Sequence, residues 1–141
     1  MSRPRATVIH GLLFPAFGPL VRGRMAGPDG RNASGLVLID TGATMSGVDR
    51  DVARELGLET HGAAEWRAVG GNPAVAALRV GRLALGEDPR QWELDLIELA
   101  GLRSQIAGYT LIALLGWDFL DQCRVDLDGP ARTFRLELPR H

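Results

Sequence analysis

One stretch of the chain ends an apolar run abruptly in residues that can do chemistry. Leu36–Ile39 is continuously apolar, and Asp40, Thr41, Gly42 and Ala43 follow it directly. A run of this type is typical of a buried strand, which would deliver a carboxylate and a hydroxyl to its end. A carboxylate held there can act as a general acid or base. Asp and Gly are also standard in a capped turn after a strand, so this stretch alone leaves catalysis and a structural turn open.

A second apolar run, Leu111–Leu115, has a similar ending. Gly116 follows it, and the segment Trp117–Gln122 carries Phe119 and Leu120 on one side, which predicts a short helix. A bare Asp-Thr-Gly triplet occurs by chance in roughly a few per cent of chains of this length. The two runs in this order are far rarer, and together they carry more information than the triplet.

The elements that must position these residues are predicted to be short strands. The 18 glycines and 8 prolines are spread between short apolar runs, and turn residues separate most of the runs. The predicted strands are Thr7 to Phe14, Leu20 to Met25, Leu36 to Ile39, Trp66 to Val69, Ala74 to Val80, Trp92 to Leu99, Leu111 to Leu115, Cys123 to Leu127 and Thr133 to Leu138. This pattern predicts an all-β barrel or sandwich.

The segment from Asp49 to Gly57 differs from this pattern. It opens with acidic residues and carries Val52, Ala53 and Leu56 at helical spacing. We expect one helix of about two turns there, with Gly57 as its end cap.

Composition argues against several partners and cofactors. Sixteen basic residues, all of them Arg, balance 17 acidic residues and leave a net charge of -1, so no nucleic-acid partner is expected. The apolar stretch near the start is too short to span a membrane, and no membrane partner is expected. His10, His61 and His141 form no metal-ligand spacing, so neither a metal nor another cofactor is expected. Cys123 is the only cysteine, which is compatible with a cytoplasmic location.

The two apolar runs with their endings resemble the retropepsin-like aspartic peptidases, in particular bacterial members. The pattern of that family is two hydrophobic residues followed by Asp-Thr-Gly-Ala and, much later, two hydrophobic residues and Gly before a helix. The resemblance spans about Pro19 to Leu138. It implies a closed acid-protease barrel lobe with one or two short helices.

The resemblance also implies a symmetric homodimer. The length suffices for one lobe, and neither Asp29-Gly30 nor Asp128-Gly129 has the form of a second catalytic loop. Asp40 would therefore pair with the Asp40 of a second chain across a two-fold axis. Residues 1–141 would form a single domain, with residues 1–18 as an N-terminal extension or an interface strand.

Roles for the loop residues follow from the same resemblance. One Asp40 would act as the base and its mate as the acid, with the nucleophilic water between them. Thr41 would donate a hydrogen bond across the two-fold axis, although a Thr at a strand end can instead satisfy its own backbone. Gly42 would let the chain turn tightly beside the carboxylates.

A glycine-rich segment later in the chain matches the position of the family's flap, a hairpin that closes over substrate. A plain hairpin turn remains the alternative, because glycines favour both, and Pro73 removes a backbone donor beside the tip. The residues expected to contact a peptide substrate are Ala43, Val69, Gly70, Gly71 and Asn72.

The sequence departs from many retroviral members at two positions. Those members carry Arg after the late Gly and Asp after the catalytic Ala, whereas this chain has Trp117 and Thr44. We therefore do not expect their ion pair, and we expect Trp117 to pack in the core or at a dimer interface.

The favoured function is a metal-independent aspartic endopeptidase that acts on a peptide or protein substrate. A catalytically silent peptide-binding or protein-interaction module of the same fold is the alternative. An unrelated β-barrel ligand binder with a chance Asp-Thr-Gly is the third possibility.

Overall fold

Short strands make up most of the chain in the computed structural model, which describes residues 6–67 and 70–140. The strands are β1 (Val8–Phe14), β2 (Gly18–Ala26), β3 (Asn32–Ile39), β4 (Gly47–Asp49), β5 (Glu59–Trp66), β6 (Ala74–Leu85), β7 (Trp92–Leu99), β8 (Leu111–Leu115), β9 (Arg124–Asp128) and β10 (Thr133–Glu137). The helices are α1 (Arg50–Glu55), α2 (Trp117–Leu120) and a single 3-10 turn, Leu102–Ser104. No helix in the described ranges is long and apolar enough to cross a membrane.

Six of the strands close into a ring. Their order is β2, β6, β7, β4, β8 and β3, and β2 closes the ring because it pairs antiparallel with both β3 and β6. β1 pairs with the first part of β2 and then with β10, which pairs in turn with β9. This arrangement confirms the predicted closed, all-β barrel lobe with two short helices.

The core consists of apolar side chains from the strands of the ring. Met25, Val37, Leu83, Leu96 and Ile112 come from five different strands and are fully buried. Removing one such side chain from water contributes about 1.5–3 kcal/mol to folding. Burial of residues from around the whole ring therefore holds the barrel closed.

The N-terminal segment is part of this sheet. Val8↔Glu137 and Gly11↔Phe134 are register pairs between β1 and β10, and Leu12↔Leu20 joins β1 to β2. We expected residues 1–18 to be an N-terminal extension or an interface strand. In the described part of this segment, β1 pairs with two strands of its own chain.

Asp49 explains why α1 begins where it does. Its Oδ2 accepts hydrogen bonds from the backbone N–H groups of Asp51 and Val52, both at 3.0 Å, which is an N-cap. The buried carboxylate also accepts a hydrogen bond of 2.9 Å from the backbone N–H of Arg103. At the other end Gly57 has a φ of 61°, which confirms it as the residue that ends the helix.

Candidate active site

Two parallel strands bring the ends of the two apolar runs together. β3 and β8 run parallel in the ring, and Ile39 pairs with Leu115 at their carboxyl ends. Asp40 and Gly116 are the next residues, so they lie side by side. The backbone N–H of Asp40 continues the pairing by donating to the carbonyl oxygen of Leu115 at 2.9 Å.

The Asp40 side chain is half-buried and is held by its own loop. The N–H of Gly42 donates to Asp40 Oδ1 at 3.0 Å, and the N–H of Ala43 donates to the Asp40 carbonyl oxygen at 3.1 Å. Asp40 Oδ2 accepts no hydrogen bond from the residues that the structure describes. One carboxylate oxygen is thus fixed, and the other can meet water or a second acid.

Gly42 allows this close approach. A Cβ added at Gly42 would lie 3.3 Å from Asp40 Oδ1, which would crowd the carboxylate. Thr41 and Gly42 are both exposed, and the Thr41 hydroxyl makes no hydrogen bond within the described ranges. The Thr41 side chain is therefore not occupied by its own backbone, which was the alternative left open by the sequence.

The first turn of α2 is attached to the Asp40 loop by backbone hydrogen bonds. The N–H of Trp117 donates to the carbonyl oxygen of Ala43 at 2.9 Å, and that of Asp118 donates to Thr44 at 3.1 Å. A Cβ at Gly116 would lie 2.7 Å from the Ala43 carbonyl oxygen and 2.8 Å from that of Met45. Only glycine fits at Gly116 without moving this backbone.

A buried serine connects the same two segments through its side chain. Ser46 Oγ donates to Asp118 Oδ1 at 2.7 Å and accepts from the N–H of Gly116 at 3.0 Å. The N–H of Ser46 also lies 3.0 Å from both oxygens of Asp118. No role for Ser46 or Asp118 could be predicted, because nothing local in the sequence links residues 72 positions apart.

Trp117 does not pack in the core, which was one of the two places expected for it, because the residue is 49% exposed. Packing at a dimer interface stays a prediction. The indole Nε1 donates a hydrogen bond of 2.6 Å to the carbonyl oxygen of Thr41. Trp117 therefore contacts the loop that carries Asp40 directly.

The glycine-rich segment forms the end of a β-hairpin. β5 and β6 are antiparallel, and Trp66↔Ala74 is their last register pair before the turn. Gly70, Gly71 and Asn72 are exposed, and Gly70 has a φ of 76°, whereas Val69 lies outside the described residues. No hydrogen bond between described residues joins this turn to the Asp40 loop. Of the predicted site residues, the structure thus places Asp40, Thr41, Gly42 and Ala43 in one loop. The described residues of the turn, Gly70, Gly71 and Asn72, form a second group without a hydrogen bond to that loop.

An exposed contact joins β5 of this hairpin to β7 of the ring. His61 of β5 and Asp95 of β7 are joined by a contact of 3.0 Å between His61 Nδ1 and Asp95 Oδ1. This hydrogen bond and the charge of Asp95 raise the pKa of His61 above its usual value.

Two large clefts of the described chain are not lined by Asp40. Two of about 790 and 820 Å³ share Leu12, Arg22 and residues 86–89 in their linings, and Asp40 lines neither. Within the described ranges, no three His, Cys, Asp or Glu side chains cluster where they could hold a metal ion.

Comparisons with known proteins agree with this geometry. Residues 23–119, which include the Asp40 loop and the start of α2, match the family model described as aspartyl protease. The fold is similar to the crystal structure of a retropepsin-like aspartic protease from Rickettsia conorii, with a TM-score of 0.54, 17% identity and 98% of each chain covered. None of the curated proteins matches the sequence. At this identity the structural match is evidence for the fold, and the family match covers the candidate site itself.

Proposed function

Because the chain belongs to the aspartyl protease family and has a retropepsin-like fold, we propose that it is an aspartic endopeptidase that works as a homodimer. Each subunit would supply one Asp40 carboxylate to a shared site, and the substrate would be a peptide or protein. The observation that carries the proposal is the setting of Asp40, with Oδ1 held by the N–H of Gly42 at 3.0 Å and Oδ2 unengaged by the described residues.

Two carboxylates sharing one proton can perform both halves of peptide hydrolysis. The ionised Asp40 takes a proton from water as the water oxygen bonds to the scissile carbonyl carbon, and the protonated Asp40 of the second chain gives its proton to the carbonyl oxygen. The Asp40 that took the proton from water then gives it to the leaving nitrogen as the C–N bond breaks, and the other Asp40 takes a proton from one of the two hydroxyls on the carbon, which restores the shared proton. Neighbouring carboxylates cannot easily both be ionised, which keeps one proton in the pair.

Two further observations support a site completed by a second chain. The exposed Thr41 hydroxyl is available to donate a hydrogen bond to a partner loop. The clefts of about 790 and 820 Å³ are not lined by Asp40, which is consistent with a substrate cleft that forms between two chains. That cleft would be lined by Ala43, Val69, Gly70, Gly71 and Asn72. The hairpin turn would close over the peptide.

The test is Asp40→Asn, which removes the acid and keeps the size of the side chain. We expect kcat/KM for peptide cleavage to fall about 100- to 10,000-fold, because general acid–base catalysis contributes a factor of that order. A transition-state mimic of the pepstatin type should also bind the variant more weakly. The denaturation midpoint should change little, since Asn can still accept the hydrogen bond from Gly42.

Asp29→Asn is the matched control, because it makes the same change in an exposed turn that also precedes a glycine. Cleavage by Asp29→Asn should equal that of the wild type. Cleavage by Asp40→Asn at the wild-type rate would overturn the mechanism. A wild type that binds peptides without cleaving them would instead support the silent peptide-binding module.

A further inference from the structure

A hydrogen-bonded connection leads from Trp117 to the Asp40 carboxylate through one peptide group. The indole Nε1 of Trp117 donates to the carbonyl oxygen of Thr41 at 2.6 Å. That carbonyl belongs to the same peptide group as the N–H of Gly42, which donates to Asp40 Oδ1 at 3.0 Å. The indole and the catalytic carboxylate thus hold opposite ends of a single planar unit.

The planarity of that unit couples its two hydrogen bonds. A peptide group rotates as a rigid plane, so fixing the carbonyl oxygen also fixes the direction of the N–H. A donor at the carbonyl end also polarises the group and strengthens the hydrogen bond that its N–H makes. Trp117 therefore acts on both the orientation and the strength of the contact to Asp40.

From this geometry we propose that Trp117 is a positioning residue for Asp40, acting through the Thr41–Gly42 peptide group. The proposal rests on the proposed peptidase function, because it assigns Trp117 a role in preparing the same carboxylate. The hydrogen bond from the neutral indole needs no charged partner, and this chain has Thr44 where many retroviral members have Asp. Because the ring is half-exposed, its desolvation costs little.

The indole contact is separable from the attachment of α2. Two backbone hydrogen bonds, from Trp117 to Ala43 and from Asp118 to Thr44, connect the helix to the loop. The side chains of Ser46 and Asp118 connect them again, at 2.7 Å. Loss of the indole N–H should leave α2 in position and free only the peptide group beside Asp40.

Trp117→Phe tests the proposal, because it removes the N–H and keeps an aromatic ring. Trp92→Phe is the matched control, since the buried Nε1 of Trp92 has no hydrogen-bond partner among the described residues. Both variants are compared with the full-length wild type in peptide cleavage across pH, in hydrogen exchange of the loop amides, and in the denaturation midpoint.

We expect Trp117→Phe to lower kcat about 3- to 10-fold with KM nearly unchanged, as loss of one hydrogen bond would do. A weaker hydrogen bond from Gly42 favours the ionised carboxylate less, so the acidic limb of the activity profile should move to higher pH. Asp118 of α2 is the second acid beside this loop, after Asp40, and it should keep its hydrogen bonds with Ser46 in both variants. The Gly42 amide should exchange faster in Trp117→Phe, whereas Trp92→Phe should change neither the limb nor the exchange.

The exchange measurement separates this proposal from the proposed function, because it needs no activity. An inactive wild type whose Gly42 amide loses protection in Trp117→Phe would overturn the peptidase function and support the contact. Unchanged Gly42 exchange in Trp117→Phe would overturn the positioning role. Faster exchange with an unchanged kcat and acidic limb would overturn it as well.

Discussion

Ala43 determines which hydrogen bonds the Asp40 loop can offer its carboxylate. Its N–H and carbonyl oxygen are both engaged, with Asp40 and Trp117 respectively, and its methyl side chain has no donor. A hydroxyl at this position could donate to the carboxylate and favour its ionised form. The identity of this one side chain should therefore influence the pH at which the pair works.

We predict that Ala43→Ser moves both limbs of the pH–activity profile toward acid. The measurement is kcat/KM for a peptide substrate across pH, with dimer content checked at each pH. Ala43→Cys is the control, because it adds a side chain of similar shape with a much weaker donor, and its limbs should move less. An unchanged or alkaline-shifted profile in a folded Ala43→Ser protein would show that this position does not tune the Asp40 pair.

At the residue scale, contacts between near neighbours in the sequence could be predicted, whereas contacts between distant residues could not. Asp40, Thr41 and Gly42 are adjacent in sequence, and the hydrogen bond from Gly42 to Asp40 spans two residues. The contacts of Ser46 with Asp118 and of Trp117 with Thr41 span 72 and 76 residues. Such pairs form only because β3 and β8 run parallel to each other. This pairing cannot be predicted from the pattern of residues along the chain.

At the scale of elements, Gly116 sets how closely α2 can approach the Asp40 loop. A Cβ there would lie within 2.8 Å of backbone atoms of Met45 and 2.7 Å from the Ala43 carbonyl oxygen. Gly116→Ala should lower the free energy of unfolding by about 1–3 kcal/mol, as overpacking of a tight contact does. Denaturant titration followed by circular dichroism measures this.

Gly129→Ala is the control for this change, because a Cβ at Gly129 would meet no atom within 4 Å. Its free energy of unfolding should stay within about 0.5 kcal/mol of the wild type. Equal stabilities of the two variants would show that the backbone of α2 and the loop can move apart without cost.

The pair of His61 and Asp95 predicts a pH dependence for the contact of β5 with β7. The folded-state pKa of His61 is raised above its ordinary value, chiefly by its hydrogen bond to Asp95. The stabilisation is therefore fully present below the unfolded-state pKa and is lost as pH rises through the higher folded-state pKa. Because both side chains are exposed, we expect a small effect.

The measurement is the free energy of unfolding of wild type and Asp95→Asn on either side of this range. The wild type should lose more stability than the variant as pH rises from weakly acidic to mildly alkaline. An equal loss in both proteins would contradict a contribution from this pair.

Strand prediction succeeded where burial gives a strong apolar signal. β7 and β8 have the predicted bounds, Trp92–Leu99 and Leu111–Leu115. β4 was not predicted, because it has three residues and exists through its pairing with β7 and β8. β5, Glu59–Trp66, shares only Trp66 with the strand predicted from Trp66 to Val69, whose last two residues lie outside the described ranges. The strand was missed because this edge strand is mostly exposed and has no apolar alternation.

At the scale of the whole molecule, a site shared between two chains makes activity depend on assembly. Isolated chains would carry one Asp40 each, so specific activity should fall on dilution in parallel with the dimer fraction measured by sedimentation. Full specific activity in a strictly monomeric sample would contradict the shared site.

Mixing subunits gives a sharper form of this prediction. If chains exchange freely, an equal amount of Asp40→Asn should reduce the activity of a fixed amount of wild type to about half, because mixed dimers lack one acid. An equal amount of Asp29→Asn should raise total activity instead. An Asp40→Asn chain that leaves the wild-type rate unchanged would contradict shared catalysis.

The pairing of β1 with β10 has a consequence for how the chain folds during its synthesis. Val8 lies opposite Glu137, so β1 leaves the ribosome long before its partner strand exists. The six-strand ring can form once β8 has been made, and Leu12 to Phe14 of β1 can pair with β2 at once, whereas Val8 to Gly11 must wait for β10. Pairings this distant in sequence also slow folding, because the loop must close before the contacts form. The first half of β1 is thus translated well before the strand that completes its pairing.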